Sequence, residues 1–482
     1  MSMTDTGAYD ELPRPEGTRE RRRKPHERVA GRAMHRVDQT TEQMVRSVLA
    51  YAENRLRMDP VPLDQGTLTN AQLYERLEGV ICEQASTPDE VLGVYASVIA
   101  PSVISADSPR FLGFIPAAPT KASLLFDMLV SCASIQGISW LEASGAIAAE
   151  NTVLSLIAGE AGLDPRTAGG TFVSGGSAGN LSALAVAREE AKRRDPSVGR
   201  WRVVVGTDAH SSVVNTLRLL EMDALVVETP DHRLTRADIE RGTAGQDLSD
   251  VAAVVCTSGT TNAGIIDDLD SVGALAQERG WWFHVDGAYG GAGIFAPSLR
   301  AKYAGLERAD SFILDPHKWM FTPFDCCALL YADPAKARRT HTQDASYLDV
   351  IHEHEAWNPT DYAYHLTRRA RGLPLWFSLA VHGVGAYRDA IEVAVRLAAE
   401  TAAMIRAEDH LELVREPDLG IVLFRRLGWE EEDYHAWARE LHQDEVAFIP
   451  PSAWEGETVG RFAFLHPDTS LDLVREVLDR TR

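Results

Sequence analysis

This sequence predicts an α/β protein built on a mainly parallel sheet, and three observations carry that expectation. Between about residues 120 and 320, short apolar runs rich in β-branched residues alternate with longer amphipathic stretches. The short runs are continuously apolar instead of alternating with polar residues, which suits strands covered on both faces. The stretches between them are long enough for the helical crossovers that parallel pairing needs. At 482 residues the chain also exceeds what one compact core holds, so two or three domains are expected.

Residues 1–33 are rich in Arg, Glu, Pro and Gly without apolar periodicity, and are expected to form a disordered tail. Its basic run TRERRRKPHER, Thr18 to Arg28, reads as a solvated end with no assigned role. From Met34 the pattern changes. Val37, Met44, Val45, Val48, Leu49 and Tyr51 recur at roughly helical spacing, and a second such stretch runs from Asn70 to Ile81 after the turn-like DPVPLDQG. Residues 34–119 are therefore expected to be a helical N-terminal segment. Residues 120–373 hold the strand candidates GTFV, WRVVV, ALVVE, VAAVVC, WWFHVD and SFIL, separated by helices such as NLSALAVAREEAKRR and LDSVGALAQERG. They form the expected large domain. Residues 374–482 carry a long helical stretch, the strand candidates ELVREP, GIVLFRRL and GRFAFLHP, and the helix SLDLVREVLDR, which predict a smaller α+β C-terminal domain.

Hydrophobic residues at 45% and charged residues at 24% describe an ordinary globular chain. Lys and Arg total 48 against 70 for Asp and Glu, and the net charge of −22 repels nucleic acid and anionic membranes, so neither is expected as a partner. Five cysteines without a CxxC spacing argue against a disulfide framework or a zinc site. No run approaches the roughly 18 apolar residues needed to span a bilayer, and a cytoplasmic location is expected.

In open α/β sheets ligands collect at strand ends, and four such ends carry chemistry. SFILDPHKWMFTPFDC sets Lys318 just past a strand, where a low-dielectric pocket would favour an uncharged amine able to form a Schiff base. The bland alternative is a snorkelling surface lysine. WWFHVDGAYGGAG ends a strand on Asp286, a carboxylate of the kind that pyridoxal-5′-phosphate (PLP) needs against its pyridine nitrogen, although an aspartate there also caps a turn. GTFVSGGSAGNLSAL runs from a strand through Gly176 and Ser177 into a helix, a cup suited to a phosphate. The same GGSAG fits the nucleophile elbow of a serine hydrolase acting through Ser177, a reading that leaves Asp286 and Lys318 without a role. GTDAHSSVVNT sets His210 after a strand, where it stacks on a flat ring or is simply a core histidine. CTSGTTNAGIIDDL adds Thr257, Thr260 and Thr261, a hydroxyl cluster suited to phosphate or merely a turn. His341 to Pro359 reads as a polar lid, and its His352, Glu353, His354 and Glu355 match no metal motif, so no metal is expected.

DPHKW, HVDGAYGG and DAHSS together resemble the group II PLP-dependent decarboxylases, which include the aromatic L-amino-acid, tyrosine, tryptophan and glutamate decarboxylases. The resemblance covers roughly residues 35 to 480. It implies the aspartate-aminotransferase-like fold (fold type I), with a seven-stranded, mainly parallel sheet. It also implies that Lys318 carries the cofactor, Asp286 partners the pyridinium, Ala288 lies near the ring and His210 stacks over it. Gly176, Ser177, Thr261 and His317 would hold the phosphate. Tyr347 would protonate the substrate carbon to give an amine, where relatives with phenylalanine tend toward oxidative deamination to aldehydes. A homodimer whose active site is completed by the partner's loop is implied as well. IPAAPT at Ile115 to Thr120 has Ala117 where animal aromatic decarboxylases have threonine, and Thr367 before Arg368 and Arg369 stands where plant relatives have glycine for indolic or serine for phenolic substrates, so the resemblance leans weakly toward a phenolic side chain. The expected reaction is decarboxylation of an aromatic L-amino acid. The alternatives are an aldehyde-forming oxidative decarboxylase, a decarboxylase of a non-aromatic amino acid and, remotely, the Ser177 hydrolase.

Overall fold

Every strand expected in the large domain forms, and all but the edge strand are short, apolar and mostly covered on both faces. A computed structural model describes residues 34–64, 66, 68–83, 85–115, 118–343 and 357–482. The strands are β1 Gly169–Val173, β2 Arg202–Gly206, β3 Asp223–Val227, β4 Val251–Thr257, β5 Trp282–Gly287, β6 Ser311–Leu314 and β7 Cys327–Tyr331. Their order in the sheet is β1-β7-β6-β5-β4-β2-β3, parallel from β6 through β3, with β7 antiparallel to both its neighbours. The segment CALLY of β7 was not anticipated as a strand. β3 also departs from expectation, because as the sheet's edge it is covered only in part, with Val226 left exposed.

The helices are α1 Gln39–Leu56, α2 Asn70–Leu77, α3 Pro88–Val94, α4 Lys121–Cys132, α5 Trp140–Glu160, α6 Gly176–Arg194, α7 Ser211–Leu219, α8 Arg236–Gly242, α9 Leu269–Arg279, α10 Pro316–Trp319 and α11 Pro334–His341. α6 packs across β4 to β7, and its buried Ala183, Leu184, Val186 and Ala187 form the face that meets the sheet. The parallel strands end on one edge, so the residues after β2, β4, β5 and β6 converge there with the β1–α6 turn.

A helix from Leu373 to Arg406, broken at Gly383 where φ is +77°, leads into a second sheet. That sheet is antiparallel, in the order β10-β11-β9-β8, from β8 Leu411–Leu413, β9 Ile421–Arg426, β10 Ser452–Trp454 and β11 Glu457–Ala463. Three of these strands were expected; β10, only three residues long, was not.

The N-terminal helices are held by their caps more than by burial. Asp38 caps α1 through Thr41 N, and Thr69 with Gln72 and Thr87 with Glu90 form capping boxes on α2 and α3. No residue of α1 is buried, and Met44, Val45, Val48 and Leu49 stand exposed, as do Leu125 and Leu129 of α4. An apolar stripe left open in this way marks an interaction surface.

One ion pair is sealed inside the large domain. Arg368 donates from both terminal nitrogens to Glu150 of α5, at 2.8 and 2.6 Å, and the same carboxylate accepts from Gly372 N at 2.8 Å. The two side chains are 0 and 3% exposed. No described helix is long and apolar enough to cross a membrane. The expected tail, residues 1–33, lies outside the described residues, as do Tyr347, His352, Glu353, His354, Glu355 and Ala117.

Candidate cofactor site

β6 ends at Leu314, and after Asp315 alone Pro316 opens α10, the single turn that carries Lys318. The lysine lines a cavity of about 450 Å³ together with Gly175, Gly176, Ser177, His210, Thr261 and Asp286. Only 24% of its side chain is exposed, which rules out the snorkelling surface lysine. Its charge state corrects the expectation of a neutral amine. Burial lowers the Lys318 pKa, but the carboxylate of Asp315, with Nζ 3.1 Å from Oδ2, and that of Asp286 outweigh burial and hold it above its ordinary value. Asp315 is itself almost fully buried and was not singled out from the sequence. The available signal was an acid three residues before the lysine, the spacing of one helical turn.

The phosphate-type cup is the β1–α6 turn. Gly176 N donates to Asp315 Oδ2 at 3.2 Å. A Cβ at position 176 would lie 3.0 Å from the Ala288 Cβ and 3.2 Å from Asp315 Oδ2, so glycine lets the helix start approach β5 and α10. Ser177 lies in the first turn of α6, exposed to the cavity. Among the described residues no hydrogen bond joins it to a histidine, so the relay a serine nucleophile needs is not formed.

Asp286 sits at the end of β5 with both oxygens accepting: Oδ1 from Ala288 N at 3.1 Å and Oδ2 from Asn180 Nδ2 at 2.8 Å. The turn-capping reading and the site reading thus coexist on one carboxylate. Asn180 belongs to a buried donor chain that sequence reasoning missed. Trp282 Nε1 donates to Ser311 Oγ, which lies 2.8 Å from His284 Nδ1, and His284 Nε2 lies 2.8 Å from Asn180 Oδ1. Asn180 Nδ2 donates to Asp286, so Asn180 Oδ1 accepts from His284 Nε2–H, and because His284 is neutral its Nδ1 accepts from Ser311 Oγ. The other Asn180 Nδ2 proton goes to Ser212 Oγ at 3.1 Å. His210 is then reached from Ser212, whose Oγ and N lie 2.8 and 3.2 Å from Nδ1. Its Nδ1 accepts and its Nε2 carries the proton. His210 is exposed at the cavity, not a core histidine, and caps α7. A signal for His284 existed in WWFHVD, where it lies two positions before Asp286 and so on the same face of β5.

Burial keeps His284 neutral by pushing its pKa down to about 4, against the opposing pull of Asp286. His341 and His365 are likewise pushed down by burial to about 4. An unfolded histidine takes up its proton near the ordinary value of 6.5, so between pH 6.5 and 4 the unfolded chain binds protons that these rings refuse. Their stabilisation is present above pH 6.5 and lost as the pH falls through that window. Asp267 acts oppositely: burial raises it from 3.8 to about 7, so the folded chain keeps a proton that the unfolded chain has released. With His317 and His466 also lowered and Asp310 also raised by burial, five histidines against two aspartates predict a melting temperature that falls as the pH is lowered from 6.5 to 4. A flat profile in differential scanning calorimetry would contradict the neutral histidines.

Thr261 and Ala288 line the cavity, and His317 lies at its wall with Nδ1 2.7 Å from the Cys326 carbonyl oxygen. Burial lowers the His317 pKa, with Asp315 opposing. The small domain supports this edge through Arg461 of β11, which donates to the carbonyls of Asn262, Phe114 and Thr261 at 3.0, 2.8 and 2.6 Å. A larger cavity of about 550 Å³ among the N-terminal helices contains no lysine. The 450 Å³ cavity falls within the roughly 300–1,000 Å³ of small-molecule sites. It brings together an amine, an accepting carboxylate and a glycine-opened helix start, a donor set that fits a phosphorylated pyridine aldehyde.

Residues 71–427 match the family model described as the pyridoxal-dependent decarboxylase conserved domain. The chain is 28% identical over 441 residues to an aromatic-L-amino-acid decarboxylase of Bacillus atrophaeus, covering 88% of this chain and 90% of that one. It is 29% identical over 396 residues to a histidine decarboxylase of Drosophila melanogaster, covering 78% of this chain and 47% of that one. Among solved structures, Oryza sativa TDC with PLP and tryptamine superposes with a TM-score of 0.83 at 24% identity, covering 92% of this chain and 97% of that one.

Proposed function

The chain belongs to the pyridoxal-dependent decarboxylase family and is a PLP-dependent amino-acid decarboxylase of fold type I; from that premise we propose that its substrate is an aromatic L-amino acid, released as the amine and carbon dioxide. The observation that carries the substrate class is the near full-length likeness to the Bacillus atrophaeus enzyme. Phe324 adds support: it is exposed at the edge of the cavity and packs on His317, an aromatic surface beside Lys318.

When bound, PLP supplies the electron sink for the pair left behind as the carboxylate departs. In this reading Lys318 holds the cofactor through Nζ, and Asp286, accepting at both oxygens, holds a proton at the ring nitrogen. The donor chain from Trp282 to Asn180 fixes the Asp286 carboxylate. Its branch through Ser212 occupies His210 Nδ1 and leaves the Nε2–H free to donate at the cavity, where the imidazole would stack on the cofactor ring. Ala288 would lie beside the ring, and Gly176, Ser177, Thr261 and His317 would hold the phosphate. Tyr347 returns a proton to the substrate carbon, which favours the amine over an aldehyde product. The open stripe on α1 and α4 supports a homodimer. The buried thiols of Cys256, Cys326 and Cys327 fit a reducing cytoplasm.

Asp286→Asn is expected to lower kcat by about a hundredfold, or roughly 2.7 kcal/mol, while PLP remains reducible onto Lys318. Single-turnover kinetics with borohydride trapping checks both halves. The substrate class is tested by carbon dioxide release from a panel of tyrosine, tryptophan, phenylalanine, histidine and glutamate, with ammonia and peroxide followed in parallel. Preference for histidine, which the Drosophila melanogaster relative favours, would overturn the aromatic reading. Stoichiometric ammonia and peroxide would overturn the amine product.

A further inference from the structure

The Asp315 carboxylate occupies the place where a phosphate and an imine-forming lysine must meet. Oδ2 takes the leading amide of the cup, Gly176 N at 3.2 Å, and ion-pairs with Lys318 Nζ at 3.1 Å. Oδ1 is buried and has no hydrogen-bond partner among the described residues. The buried thiol of Cys327 faces the same carboxylate, and its pKa is driven up by burial and then by Asp315. A second anion brought to the start of α6 meets this fixed negative charge while competing for the same amide.

Resting on the PLP reading above, we propose that Asp315 is a resident anion that holds the cup and Lys318 closed in the cofactor-free chain, so that its displacement controls how fast the cofactor is captured. Condensation of Nζ with the cofactor aldehyde makes one C=N bond and releases one water. It requires Nζ to have lost its ammonium proton to solvent. Asp315 opposes both halves of the event, stabilising that proton and repelling the incoming phosphate.

The test compares wild type, Asp315→Asn, Asp315→Ser and the charge-keeping Asp315→Glu, all freed of cofactor. PLP association is followed by stopped-flow absorbance across pH, and inorganic phosphate binding by calorimetry. Phosphate is also titrated in a Lys318→Ala background, where only repulsion can act. Removing one carboxylate beside an ammonium lowers its pKa by about one unit, so both neutral variants are expected to associate about tenfold faster, with the pH midpoint about one unit lower. Phosphate is expected to bind about tenfold tighter with or without Lys318, while Asp315→Glu stays near wild type. If the folded neutral variants show an unchanged or slower rate, an unmoved midpoint and no gain in phosphate affinity, Asp315 is a structural clamp and the proposal is wrong. Should only one neutral variant fold, it decides alone. A wild type that takes up no PLP at all would instead defeat the cofactor assignment.

Discussion

Lys318→Ala is expected to reduce decarboxylation at least about ten-thousandfold, a loss of roughly 5 kcal/mol in transition-state stabilisation. The size follows from the site's construction. The cavity offers one lysine amine, three-quarters withdrawn from solvent and framed by Asp315 and Asp286. Neither the neighbouring His317 nor the serine and threonine hydroxyls can take over an imine linkage. Borohydride reduction of the loaded enzyme should place the pyridoxyl label on the peptide containing Lys318, and the variant should take no label there. PLP should still bind the variant without a covalent bond, because the cup and Asp286 are untouched. Retention of more than about one per cent of the rate would mean that the chemistry is carried by another group.

Glu150→Ala should destabilise the fold by about 3–5 kcal/mol, the cost of leaving a buried cation without its counter-charge. Arg368 is fully enclosed, and its two terminal nitrogens both rely on Glu150. The carboxylate also anchors Gly372 N at the start of the helix Leu373–Arg406, so the loss reaches the join between the two sheets. Urea denaturation measures the effect, and Glu150→Ala with Arg368→Met supplies the control. Because apolar replacement of a whole buried pair is often neutral, the double variant should recover most of the loss. A single variant within about 1 kcal/mol of wild type would show that the pair is not sealed from water.

How far the sequence anticipates this molecule depends on what each residue's neighbours reveal. Strands such as Val251–Thr257 and Ser311–Leu314 are legible because burial on both faces makes nearly every residue apolar, with polar ones confined to their ends. CALLY was passed over because it follows the PHKW and FTPFDC residues so closely that only the single turn α10, and no crossover helix, separates it from β6. An antiparallel neighbour needs none. Lys318, Asp286, His210 and Gly176 line one cavity, and each lies at or just past a strand end that is recognisable in the sequence. Asn180, Ser212, His284 and Ser311 were hidden inside elements that read as ordinary helix or strand, and only three-dimensional proximity joins them. The protonation of Lys318 was misjudged for a related reason. Burial was foreseen from the apolar strand, while the acid at 315 was read as part of a motif and not as a charge 3.1 Å away.

Arg461 also sets an order in time. Its guanidinium binds the carbonyls at positions 114, 261 and 262, all translated long before position 461. A nascent chain therefore leaves this wall of the pocket unbraced until Arg461 has been made and β11 has folded. A chain that stops before position 461 would lack these three bonds, leaving residues 261 and 262 without their brace from the second sheet.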